Sequence, residues 1–327
     1  MFKKLFLLLI LFAGLKQSVI AQTDLQFSQY MFNYLYINPA YAGYKEQINA
    51  TTFFRAQYLG FKGAPTTASV SIDAPLFSDN MGFGLQVNSD QIGIQNTLTG
   101  GLAYSYRVEV GDDARLCFGL QGGISQFSSD PSRSHPNDAN DALITQGAYS
   151  SLSFTSKAGL FYYNSIFYLG ASASNLFTKS IHTTGLGIAT PGEEKHYYLS
   201  GGAMLQVNDE FALKPSFLLK DPQAGISTAD INCFLLIDSK LWLGGSYRMG
   251  VPINTQSINR GTAGNLNAIL FLTEFYVNDR LRIGYAYDYP LNSVMSFKSG
   301  SHEISIGYYL PISRQSFKNS MVTPRYF

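Results

Sequence analysis

The sequence predicts an all-β protein: a transmembrane up-and-down antiparallel β-barrel of about 14 strands, with an amino-terminal aromatic segment inside or beneath it. Three observations carry this. Stretches of about ten residues alternate apolar and polar side chains again and again, which is the period of a pleated strand crossing a bilayer. Tight Asn/Asp/Gly turns alternate with longer connections between those stretches. The chain opens on a secretory signal, and no later run of about 18 apolar residues could cross a membrane as a helix.

The signal comes first. Lys3 and Lys4 make a basic start, Leu5–Leu15 an apolar run, and Val19-Ile20-Ala21 a small-residue cleavage site. This predicts a signal peptide over residues 1–21, cut after Ala21. The apolar run is too short to span about 30 Å as an anchor. Lys3, Lys4 and Lys16 leave with it, which turns a formal net charge of +1 into −2. A near-neutral chain with 14% charged residues has no electrostatic footprint for nucleic acid, so no nucleic-acid partner is expected.

Residues 22–46 form the aromatic segment. Phe27, Tyr30, Phe32, Tyr34, Tyr36 and Tyr41 crowd around Asn38-Pro39, without clean alternation. A solvated tail rarely carries so many rings, so burial is expected. Two arrangements fit: the segment fills the barrel, starting from the periplasmic side, or it packs on a periplasmic partner. Phe27, Tyr30, Phe32, Tyr34, Tyr36, Asn38, Pro39 and Tyr41 are the candidate plug or partner contacts.

The wall is expected over residues 47–312. SHEISIGYYLP, Ser301–Pro311, shows the rule: Ile304, Ile306, Tyr308 and Leu310 fall on one face, and Glu303, Ser305, Gly307 and Tyr309 on the other. The same split recurs in Gln47–Gln57, around Ala68–Asp73, Phe83–Asn88 and Leu102–Glu109, and onward to Arg280–Tyr289. Asn164-Ser165, Asp238-Ser239 and Val277-Asn278-Asp279 are hairpin turns, whereas Ser128–Gly147, Thr178–Lys195 and Gly250–Gly264 are long. Short turns belong to the periplasm and long loops to the outside, which places both termini, including a tail over 313–327, on the periplasmic side. In lipid no strand edge can stay unpaired, so the strands must close.

By alternation, Arg55, Asp73, Arg107, Glu109, Arg248, Arg282, Asp288 and Glu303 fall on the Gly/Ser face, toward the lumen. There they can line a channel, grip a plug or pair with one another. Arg282 and Glu303, on the last two strands, are expected to couple. Glu274 shares a face with Leu270 and Leu272, and so lies at the interface or marks a misassigned register in this strand. Cys117 and Cys233 sit far apart in sequence and read as separate thiols rather than a disulfide. No nucleophile elbow or phosphate loop appears. His135, His182, His196 and His302 are widely spaced, and Asp138 with Asp141 reads as an exposed acidic loop. The reading is therefore of a non-enzyme with no cofactor and no metal.

FSQYMFNYLYINPAYAG, the Asp288-Tyr289-Pro290 strand end, SHEISIGYYL and the terminal Pro324-Arg325-Tyr326-Phe327 resemble the PorP/SprF family of Bacteroidetes, from about residue 26 to the end of the sequence. The resemblance implies an outer-membrane component of the type IX secretion system. It also implies a role in secreting or attaching a partner such as a large adhesin, including adhesins of gliding motility, with other secretion components as partners. A channel or hydrophobic-solute transporter in the outer membrane is the alternative that a barrel of this size leaves open.

Overall fold

The computed structural model describes residues 25–76, 80–111, 113–131, 148–184, 194–223, 225–253, 267–291 and 300–311. The expected signal peptide with its cleavage at Ala21, the 313–327 tail, His135, Asp138 and Asp141 fall outside them. The described strands are β1 (Ile48–Ala56), β2 (Thr66–Pro75), β3 (Met81–Ile92), β4 (Gln95–Glu109), β5 (Arg115–Ser129), β6 (Tyr149–Tyr163), β7 (Phe167–Ser174) and β8 (Lys179–Thr184). They continue as β9 (His196–Ala203), β10 (Leu205–Gln206), β11 (Phe211–Pro222), β12 (Ser227–Ile237), β13 (Leu241–Val251), β14 (Ala268–Tyr276), β15 (Leu281–Pro290) and β16 (Ser301–Leu310).

Each strand pairs antiparallel with its neighbours, and β1 pairs with β16 from Ile48↔Leu310 to Ala56↔His302, so the sheet closes on itself. Two short pieces do not add wall strands. β8 resumes along β6 where β7 stops, and β10 extends β9 along β11. Fourteen strands therefore make the ring among the described residues.

Alternation does what the period demands. Arg55 is 2% exposed and its neighbour Phe54 is 55% exposed, so one face looks into the ring and the other forms an apolar belt. Val70, Leu85, Leu102, Leu120, Phe271 and Ile306 continue that belt on other strands. Such a belt is the surface a hydrocarbon core requires.

Chemistry at the turns explains where the strands end. Asn164 accepts from the backbone N–H groups of Ile166 and Phe167, Asn208 from Glu210 and Phe211, and Asn278 from Arg280 and Leu281. These side chains substitute for a backbone turn. Asp238 and Ser239 both take positive φ, 49° and 55°, which suits a two-residue hairpin.

At the opposite end the links are less uniform than the sequence suggested. β3 and β4 are joined by Gly93-Ile94 alone, because both strands run on instead of ending in a loop. β4, β5 and β6 reach 15 residues each, against nine in β1, so the wall is taller on that side.

Candidate functional site: the lumen and the segment within it

Residues ahead of β1 fold as three short 3-10 turns, Tyr30–Phe32, Tyr34–Tyr36 and Pro39–Tyr41. Pro39 presets the last turn and the Asn38 side chain caps it, accepting from Ala40 N–H at 2.9 Å. The aromatics cannot be buried by so short a segment alone. They are buried by the ring: Tyr34 and Tyr41 are each 1% exposed, and Leu35 is fully buried. Phe27, Tyr30, Phe32 and Tyr36 join the same core, as do Phe161, Tyr168, Phe234, Trp242 and Leu272 from the wall.

The segment's contacts run right round the ring. Ser28 and Gln29 donate their backbone N–H groups to the two oxygens of Glu303, both at 2.8 Å. Gln29 also accepts from Ser305 at 2.7 Å. The Ser28 hydroxyl donates to Asp288 at 2.6 Å and accepts from Arg55. Arg55 in turn bridges Asp288 at 2.6 Å and Glu303 at 3.3 Å. Arg248 completes the cluster with a two-pronged pair to Asp230, 2.8 Å on each arm, and a 3.5 Å contact to Asp288. Burying charge is tolerable here because every one has a partner.

On the opposite wall the contacts change character. Asn38 donates to the Leu160 carbonyl at 2.8 Å, and Ser172 donates to the Ile37 carbonyl at 2.7 Å. The rings of Tyr41 and Tyr44 pack edge-on to Phe161, at 5.6 and 5.4 Å. Side chains are missing where the segment presses closest. A Cβ on Gly119 would lie 2.0 Å from Ala40 N, one on Gly159 2.0 Å from Asn38 Oδ1, and one on Gly82 2.0 Å from the Ala42 carbonyl. Gly43, at φ +68°, turns the chain out of this recess, donates to Asp73 at 3.0 Å and accepts from Arg107.

Seven of the eight charges placed in the lumen by alternation are buried there: Arg55, Asp73, Arg107, Arg248, Arg282, Asp288 and Glu303. Glu109 is the exception. It has the right parity, but at the end of β4 its side chain is 71% exposed and reaches only Arg115, at 3.7 Å. The pairing expected between Arg282 and Glu303 is also corrected. Their register partners are Gly307 and Ala286. Arg282 binds Glu274 at 2.6 Å, Thr51 at 2.8 Å and the Phe32 carbonyl at 3.2 Å, while Glu303 serves Arg55 and the segment. Glu274 therefore does not lie at the interface, and the second alternative holds: the apolar face of this strand, assigned outward, is the inward one. Leu270, Leu272 and Glu274 all face inward, because this part of the lumen is lined by apolar side chains around Trp242.

A further correction concerns direction. The segment was expected to start on the periplasmic side, but Ser28 and Gln29 sit at the ends of β1, β15 and β16 that carry the longer connections. Cys117 is a buried free thiol and Cys233 an exposed one, on β5 and β12.

Several lumen residues escaped sequence reasoning. Asp230 was legible: it lies directly opposite Arg248 in the β12–β13 register. Lys214, with its ammonium 5.7 Å from the Trp242 ring and 5.8 Å from Tyr168, sits in a strand whose two faces are both apolar enough to mask the inward one. Ser28 and Gln29 carry no sequence signal, since their role comes from where the wall puts Glu303.

A closed fourteen-stranded ring with a lipid-facing apolar belt defines a β-barrel membrane protein of the outer-membrane class. Solved barrels share the architecture. The toluene transporter TodX of Pseudomonas putida is 12% identical with a TM-score of 0.51, over 90% of this chain and 96% of that one. The CymD monoaromatic hydrocarbon channel is 10% identical with a TM-score of 0.50, over 90% and 95%. Likenesses at such identity show the fold alone. No curated protein sequence matches. The PorP/SprF family, described as type IX secretion system membrane protein, matches residues 19–308. The chain belongs to that family, and is an outer-membrane component of type IX secretion.

Proposed function

We propose that this component works by holding a secreted partner, a large adhesin or another part of the secretion system, against the barrel, and not by conducting solutes. One observation carries the reading: the rings of residues 27–44 are buried inside the ring of strands, packed on Phe161, Tyr168, Phe234 and Trp242 and tied to the Arg55–Asp288–Glu303 cluster. A filled lumen leaves the mouths and connections of the barrel as its working surfaces. The adhesin itself comes from the family resemblance. The segment acts as a plug, with Phe27, Tyr30, Phe32, Tyr34, Tyr36, Asn38, Pro39 and Tyr41 as its contacts to the wall. In planar bilayers the purified protein should conduct little or nothing, and purification from native membranes should bring down a secreted surface protein. Steady, large single-channel conductance, with no such protein recovered, would turn the reading to solute transport.

A further inference from the structure

The wall is not equally tall all round. β4, β5 and β6 have 15 residues each, whereas β1 and β14 have 9 and β2, β15 and β16 have 10. At about 3.3 Å per residue and a tilt of about 45°, a strand like β4 rises about 35 Å and one like β1 only about 20 Å. The apolar band of an outer-membrane barrel is about 25 Å tall. The tall side overshoots that band, and its outward face turns polar near the top, at Asn96, Gln126 and Ser150. The low side falls short of it.

Past the strand ends on the low side, apolar side chains continue. Leu291 follows β15 and Ile253 stands just beyond β13, both exposed. Between β1 and β2, residues 57–65 present Leu59 at 53% and Phe61 at 51% exposure. The backbone of this connection is tied down. Gln57 donates to the Pro65 carbonyl at 2.9 Å, Gly93 to the Gly63 carbonyl at 3.0 Å, and Leu59 to the Gly300 carbonyl at 3.4 Å. Gly60 and Gly63, at φ +97° and +80°, make the turns that allow it. The end of a barrel that carries the longer connections faces outward. We infer that residues 57–65 are a membrane anchor: Leu59 and Phe61 enter the hydrocarbon of the outer leaflet and complete the apolar belt where the wall is low. The belt leads straight to them, through Phe54 on β1 and Ala68, its register partner on β2. A protein docking on this tip needs it clear of the lipid, and the low wall holds it level with the apolar band. The barrel thus sits with its low rim submerged, and β4, β5 and β6 stand proud of the outer surface.

The test uses the full chain folded into phosphatidylcholine vesicles and two quenchers of tryptophan emission: bromine carried high on the lipid acyl chains, and acrylamide in the water. The chain has one tryptophan, Trp242, buried in the lumen, so the unaltered protein sets the blank. Leu59→Trp should lose as large a fraction of its added emission to the brominated lipid as Phe54→Trp in the belt, and little to acrylamide. Gln95→Trp, at the exposed tip of the tall wall, should do the reverse. If Leu59→Trp is spared by bromine and quenched by acrylamide as Gln95→Trp is, the tip stands in water and the inference falls. Phe61→Trp supplies the same two readings if Leu59→Trp does not give the heat-modifiable band of a folded barrel. Neither result bears on conductance or on partner recovery, so the proposed function stands or falls separately.

Discussion

The two sides of the lumen hold the same segment by opposite means. On the side where the barrel closes, β1, β15 and β16 offer charge: Arg55, Asp288 and Glu303 bind Ser28 and Gln29 through short, directional bonds. On the far side, β3, β5 and β6 offer space: Gly82 and Gly119 admit the backbone of residues 39–42, and Gly159 admits the Asn38 side chain. The first grip depends on what is present, the second on what is missing. They should therefore fail differently, the charged side when a side chain is taken away and the glycine side when one is added.

The largest effect is expected at Arg55. Arg55→Met removes one partner from a buried cluster and leaves Asp288 and Glu303 to repel, a loss of about 3–5 kcal/mol. It should appear as a lower urea midpoint and as loss of the heat-modifiable gel band at a lower temperature. A midpoint within error of the parent would mean that the clasp is not what holds this side. Gly119→Ala comes next. It adds a single carbon where Ala40 N already stands 2.0 Å from the ideal position, and such overpacking costs about 1–3 kcal/mol. If it stabilises the barrel instead, the close approach is not a real constraint. The smallest effect belongs to Tyr34→Phe, which keeps a buried ring and loses one hydroxyl contact to Tyr168, for about 0.5–1.5 kcal/mol. A loss as large as that of Arg55→Met would show that the far side is held by hydrogen bonds as much as by shape.

The comparison also bears on assembly. Arg55 and Glu303 are register partners across the β1–β16 seam, and Arg282 on β15 reaches across to Thr51 on β1. The seam joins the two ends of the wall, the pairing with the greatest separation in sequence, and such contacts carry the largest loop-closure cost. Ser28 and Gln29 bind Arg55, Glu303 and Ser305 at this seam and Asp288 of β15 beside it. The charged grip thus couples closing the ring to filling it, and the glycine recess does not.

Period and punctuation made the wall legible. A pleated backbone sends alternate side chains to opposite faces whatever surrounds it, so Arg55, Asp73, Arg107, Arg248, Arg282, Asp288 and Glu303 could be assigned inward from the chain alone. Asn and Asp turns likewise act through local hydrogen bonds, which is why strand ends at Asn164, Asn208 and Asp238 could be read. Alternation gives a face but not a height, so Glu109 shared the parity of Arg107 and still fell outside the buried lumen. It also gives no answer where both faces are apolar, as around Leu270, Leu272 and Glu274. Partner choice among the charges was decided by closure and shear, which set Arg282 against Glu274 rather than Glu303. The direction of the segment was decided the same way. Its rings called for burial, but only the folded ring puts Glu303 at the mouth that carries the longer connections and Gly119 in the wall, and those two positions decide which end of the segment goes where.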